Sequence, residues 1–238
     1  MTRELDEDRV TKRMFSNSLG RVGRFFHHVG ERLVKAGGIQ GTWIDVGAHC
    51  GETSLRWAER NPGLKIYALE PNLSAAVKLM SRAANYFVVP MAVSETDGFA
   101  SFYVNAFEAA SSLLPLNKRA LDSWIGGESL EANSVISVPT IRLDTFMALT
   151  GIQKVDYLKI DAQGMDLAVL KSAGSRLRDV AKVTLEVDIK EVRLYSGAPS
   201  KDEIVAFLDE AGFALVGVEK QSHDQEENLT FIRKDSAR

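Results

Sequence analysis

In "VDYLKIDAQGMD" an apolar run ends in a lysine and an acid, and a glycine turn follows. Side chains alternate along a strand, so Lys159 and Asp161 project to one face at its end. Gln163-Gly164 turns the chain. Asp166 then falls in a first helical turn, where the helix dipole favours negative charge. A carboxylate at that end can take a proton from a bound hydroxyl, with Lys159 orienting it. The plainer alternative is a Lys159–Asp161 ion pair and a helix-start acid. Glu186, at the end of "VTLEVD", is placed to hold the same hydroxyl or share the base role. A second route sets Mg2+ on Asp161 with Glu186 or Asp188, since hard cations take oxygen ligands. Acids at strand ends are too common to single that route out, and metal-independent chemistry is preferred.

The other chemically suggestive stretch is "TWIDVGAHCGETSLRWAER". Gly47 and Gly51 bracket a turn where backbone can approach a ligand closely. The next run, "KIYALE", ends in Glu70, nineteen positions past Gly51, close to the ~20-residue offset at which an acid meets a ribose. A dinucleotide site needs G-x-G-x-x-G, yet the middle position is His49 and the strand ends in Asp45, a poor neighbour for pyrophosphate. S-adenosylmethionine carries a sulfonium and an ammonium, and an acidic strand end suits both. His49 is read as a loop residue bonding backbone or cofactor. Cys50 is read as a small filler rather than a nucleophile.

The elements that must position these groups follow from the pattern. From Thr42 onward, β-rich runs alternate with helical ones: "TWIDV", "KIYALE", "YFVVPMAV", "VDYLKID", "KVTLEVD", "FALVGVE" and "NLTFIR" against residues 53–60, 73–85, 165–177 and 201–211. That alternation predicts an α/β fold, a mostly parallel seven-stranded sheet with helices on both faces. The last two runs flank "KQSHDQEEN", too short for a crossover helix, so they are expected to form an antiparallel C-terminal hairpin. His223 falls in that loop, expected exposed. "FASFYV" and "VISVPTIRLDTF" interrupt the alternation, and the loop between them is a candidate acceptor-side element. Trp124 there is either a platform for a sugar face or an apolar anchor. Residues 1–40 read as an N-terminal helical extension, with Leu19, Val22, Phe26, Val29 and Leu33 at helical spacing, a packing element or lid; residues 41–238 read as the main domain.

The bulk numbers exclude several classes. The 238 residues carry 29 basic and 32 acidic side chains, a net charge of −3, so nothing calls for nucleic acid. One cysteine excludes an internal disulfide and a multi-cysteine metal site. No apolar run nears the ~20 residues of a membrane span, and the charged start lacks a signal-peptide core. A cytoplasmic protein is the default expectation, and a homodimer stays open.

Jointly, "IDVGAHCG", "YALEPN", "MAVSETDG", "ASSL", "VPTIRLDTF", "VDYLKIDAQGMDLAVLKSAG" and "VTLEVD" resemble, in order and approximate spacing, the FkbM-type methyltransferases over residues 42–188. The resemblance implies a class I (Rossmann-like) S-adenosyl-L-methionine fold that methylates a hydroxyl of a sugar, polysaccharide or polyketide-type natural product. By position it implies that Asp45, Gly47, Ala48, His49 and Gly51 line the methionine half of the cofactor. Glu70, with Pro71 beside it, would take the ribose, Ala92 and Val93 the adenine, and Asp161 would sit beside the transferring methyl. "QGMD" departs from the family's usual "QGAE", leaving Asp166 a shorter reach. N-methylation, a NAD-dependent oxidoreductase and a silent cofactor-binding module are the competing readings.

Overall fold

The computed structural model describes residues 38–234, so the helix expected across Leu19–Leu33 lies outside the described residues. The main sheet begins with β1 (Gly41–Val46), and β2 (Leu64–Leu69) and β3 (Tyr86–Val89) add parallel on one side. On the other side of β1 come β7 (Tyr157–Ile160) and β8 (Lys182–Asp188), also parallel. The terminal strands β9 (Phe213–Gln221) and β10 (Glu226–Arg233) form a hairpin, and β10 inserts antiparallel beside β8. The order is β3-β2-β1-β7-β8-β10-β9. The chain therefore reverses direction of growth between β1 and β7, the crevice where open α/β sheets take ligands.

Strand alternation distributes the apolar side chains to two faces. Ile44, Val46 and Leu69 join one cluster with Phe146 and Met147 of α4 (Leu143–Thr150), Val169 and Leu170 of α5 (Asp166–Ser172), and Ile204 and Leu208 of α6 (Lys201–Glu210). Trp43, Leu64 and Ile66 face the other way, onto Leu55 and Ala58 of α1 (Leu55–Arg60) and Leu79 of α2 (Leu73–Leu79). Helices thus cover both faces, as the near-continuous apolar strands require. Each fully buried Ile or Leu contributes about 1.5–3 kcal/mol by its burial. Ser200 and Glu203 form a reciprocal capping box at the start of α6, worth on the order of 1 kcal/mol.

Several expected elements differ in extent. "YFVVPMAV" is not one strand. Pro90 cannot donate to a ladder, β3 ends at Val89, and β4 (Ala92–Val93) moves to a second sheet with β5 (Gly98–Asn105) and β6 (Ala132–Ile141), in order β4-β6-β5. The helix expected through Asn85 stops at Leu79, because Met80 turns extended and Ser81 adopts φ +62°. The helix expected through Leu177 ends at Ser172 and continues as a 3-10 turn, Gly174–Asp179. The insertion between β5 and β6 holds only the short α3 (Lys118–Leu121) and two 3-10 turns. It is anchored by Ala110, Ala120, Trp124 and Leu130 against Leu194 and Tyr195.

Candidate active site

At the carboxyl ends of β1, β2, β7 and β8 lies a cleft of about 650 Å³. The β1–α1 turn forms one wall. His49 sits there at φ +46°, its N–H donating to Glu70 Oε2 at 2.7 Å, while Asn72 N–H donates to Oε1 at 2.8 Å. Glu70 is buried, which pushes its carboxyl above the ordinary range against the pull of those two donors. A carboxylate has about four acceptor sites, so two remain for a ligand. Pro71, Ala48, Ala92 and Val93 line the same end, the last two giving a nearly closed apolar patch.

Lys159 lies at the centre. Its Nζ is 3.2 Å from Asp45 Oδ1, 3.3 Å from Asp161 Oδ2 and 3.2 Å from the Gly47 carbonyl. Those anions raise its pKa against the opposing effect of burial. Register explains the meeting, since Asp45 pairs with Lys159 across β1 and β7. Lys159 therefore clamps the two turns together, and the expected Lys159–Asp161 ion pair is present.

Two expectations about the turn are corrected. Asp45 does not line the cleft; it is 2% exposed, held by Ser54 Oγ at 2.5 Å and neutralised by Lys159. Gly51 does not face a ligand either. A Cβ there would come within 2.7 Å of Leu79 Cδ2, so helix packing and φ +76° require the glycine. Gly47 does line the cleft, but what excludes a side chain is the Asp161 carbonyl, 1.9 Å from the added Cβ.

The opposite end of the cleft is built from β7, β8 and the terminal hairpin. Asp161 opens to the cleft, its Oδ1 accepting from Gln163 Nε2 at 2.7 Å; the same amide is 3.4 Å from Glu186 Oε2. Gln163, at φ +51°, is fixed by Ser112 Oγ donating to its carbonyl at 2.7 Å and by Tyr195 O–H donating to its Oε1 at 2.7 Å. Sequence reasoning gave Gln163 only a turning role and passed over Tyr195 and Ser112, although the last lies in the "ASSL" stretch. Burial, then the neighbouring acids, push Glu186 well above the usual carboxylate range.

Asp188, an alternative metal ligand, does not face the main cleft. Its two oxygens accept from Lys190 N and Leu194 N, each at 2.7 Å, and close a turn. Among the described residues, the only three potential metal donors within 4.8 Å of one another are His49, Cys50 and Glu52, not Asp161, Glu186 and Asp188. His49 Nδ1 is 2.9 Å from Glu52, which raises the histidine pKa, and Cys50 Sγ is 3.8 Å from Nε2. Trp124 borders the cleft but is buried in the insertion's apolar cluster, the anchor reading. His223 is exposed at the rim, in a turn whose residues Ser222, His223 and Asp224 all have positive φ. Gln225 ties that turn to the insertion, its Oε1 accepting from Ile125 N at 2.7 Å.

The basic residues lining the cleft are Lys159, Lys220, His49 and His223; both lysines are in ion pairs, Lys220 with Asp224 at 3.4 Å. Glu70, Asp161 and Glu186 face the space between them. This donor set suits a cationic, phosphate-free cofactor and offers a diphosphate no free lysine. No helix among the described residues is long and apolar enough to cross a membrane.

Residues 45–215 match the model of the methyltransferase FkbM domain. The chain is 22% identical over 165 residues to the 2-O-methyltransferase NoeI of Sinorhizobium fredii, the match covering 65% of this chain and 65% of that relative's length. Among solved structures it is similar to the magnesium protoporphyrin IX methyltransferase of Synechocystis, with TM-score 0.49, 11% identity, and 92% of this chain and 83% of that one covered. It is also similar to Aeropyrum pernix fibrillarin, with TM-score 0.49, 13% identity, and coverage of 84% and 70%.

Proposed function

The chain belongs to the FkbM methyltransferase family, and from that premise we propose that it moves a methyl group from S-adenosyl-L-methionine to a hydroxyl of a small molecule or carbohydrate. The observation that carries this reading is the Lys159 clamp between the two turns. It holds Asp161 in the open cleft beside Glu186, at the far end from Glu70. The name of the S. fredii relative, a 2-O-methyltransferase, supports oxygen as the acceptor atom.

The residues divide the work by position in the sheet. Glu70 takes the ribose hydroxyls, with Pro71 beside it, and Ala92 and Val93 receive the adenine. Gly47, Ala48 and His49 face the methionine half, while Asp45 and Gly51 shape the turn from behind. When bound, the cofactor supplies an electrophilic methyl on a sulfonium. Asp161 accepts the proton as the acceptor oxygen forms its bond to carbon, a role worth about 10²–10⁴ in rate. Gln163 fixes the Asp161 rotamer, Lys159 holds the carboxylate from the other side as its ion-pair partner, and Glu186 holds the hydroxyl in line. No step requires a metal. Titration of the purified protein with S-adenosylhomocysteine and, separately, NAD tests the donor. Binding of NAD alone removes the methyltransferase reading.

A further inference from the structure

The acceptor end holds more negative charge than transfer to a simple hydroxyl uses. Glu226, on β10, lines the cleft together with Glu186. Both also line a smaller adjoining cavity with Asp166 and Asp188. Register places Glu226 opposite Asp188 and Asn228 opposite Glu186, so the acids sit on neighbouring strands. Asp166 is 2% exposed and its Oδ1 has no hydrogen-bond partner, although it faces this cavity. Burial and mutual repulsion raise Glu226 to about 7 and Asp166 to about 7. The cations near these acids are already engaged: Lys159 is shared between Asp45 and Asp161, and Arg193 faces Asp188 at 4.0 Å. Gln163, Tyr195 and Ser222 supply uncharged polar groups around the acids.

Resting on the methyltransferase reading, we propose that the acceptor carries a protonated amine beside the hydroxyl that is methylated, and that Glu186 and Glu226 bind this ammonium. Glu186 and Glu226 are half-buried and crowd one another, which is costly without a cation, and a ligand cation removes that cost when it binds. An ammonium also tolerates a wider gap between two carboxylates than a small metal ion does. Two oxygens on one Mg2+ lie at most about 4.2 Å apart, at ~2.1 Å from the ion. Two on one ammonium reach about 5.6 Å, at ~2.8 Å each. No three of these acids offer oxygens within 4.8 Å of one another among the described residues. The same contact explains why oxygen is methylated: an amine held by two carboxylates keeps its proton and has no lone pair to attack with. Glu226 also lies beyond the matched residues 45–215, on the hairpin whose turn is tied to the insertion by Gln225 and Ile125. Recognition of the amine is thus supplied by this chain's own terminal hairpin.

The test uses the full chain saturated with S-adenosylhomocysteine and titrated calorimetrically at pH 7. The probes are methyl hexosides carrying an amine at carbon 2, 3 or 6, each against the parent methyl hexoside. At least one amine is expected to bind about ten- to a hundredfold tighter than the parent. Glu226→Gln is expected to reduce that preference to about threefold or less while S-adenosylhomocysteine affinity stays the same. Equal binding of amine and parent in the wild type, or no binding of any amine, overturns the proposal without recourse to a variant. So does a preference that survives in both Glu226→Gln and Glu186→Gln. Failure of the wild type to bind S-adenosylhomocysteine strikes instead at the methyltransferase reading.

Discussion

Replacing Lys159 with methionine keeps the length of the stem and removes the ammonium group, with its charge and its contact to the Gly47 carbonyl. Its Nζ is 3.2 Å from Asp45 and 3.3 Å from Asp161. At an effective dielectric of about 20, each contact is worth roughly 5 kcal/mol of Coulomb attraction before desolvation is subtracted. The net effect is smaller but of known sign. Asp45 is 2% exposed and keeps only Ser54 and the distant Tyr86 hydroxyl behind it. Breaking one side of such a pair costs about 3–5 kcal/mol. In a domain of this size each kcal/mol lowers Tm by about 2–4 °C, so a fall of roughly 6–20 °C is expected by calorimetry.

The pH dependence adds a check on the same reasoning. The folded pKa of Lys159 is raised above its unfolded value. The stabilisation is therefore fully present below about pH 10.4, the usual lysine value, and is lost only as pH rises through the folded one. Between pH 6 and 9 the wild-type minus Lys159→Met difference should be flat. Adding Asp45→Asn should recover part of the loss, since the orphaned charge is then gone. A cost below about 1 kcal/mol would refute the clamp, as would a double variant no more stable than the single one.

Three further substitutions separate binding, chemistry and stability. Asp161→Asn should lower turnover by about 10²–10⁴ while S-adenosylhomocysteine affinity is unchanged; undiminished turnover with an identified acceptor removes Asp161 as the base. Glu70→Gln keeps one acceptor oxygen for two backbone donors, so calorimetry should find S-adenosylhomocysteine bound about 10–100-fold more weakly, the loss of one or more charge-assisted bonds. Asp166 has a folded pKa of about 7, above its ordinary 3.8, so the folded state binds more protons between those values and stability falls as pH rises from about 4 to about 7. Asp166→Asn should therefore gain about 1–3 kcal/mol at pH 8, and the gain should vanish near pH 4; equal urea midpoints at pH 8 would refute the buried orphan.

What the sequence could disclose followed the range of the forces involved. Strand, turn and helix around Gly47 and around Gln163 depend on local alternation and on glycines, so both turns, the parallel strands leading into them and the terminal hairpin were legible. The Pro90 break is also local and could have been read, since a proline at that point cannot continue a ladder. Asp45 was misjudged for a different reason. A strand-end acid can face either a ligand or the neighbouring strand, and only the β1–β7 register, which sets Asp45 opposite Lys159, decides between them. Gly51 carries the same lesson, because its constraint is Leu79, twenty-eight residues away. The acceptor end was the least legible part. Glu186 and Glu226 are forty residues apart and meet only because β10 inserts beside β8. Gln163 is fixed by Ser112 and Tyr195, fifty-one and thirty-two residues away. Each of these residues has an ordinary surface-polar or aromatic identity that no short pattern distinguishes. A cofactor turn recurs across enzymes of one fold that use the same donor, so it forms a motif. An acceptor pocket answers to one substrate, and its charges become visible only when the strands that carry them are paired.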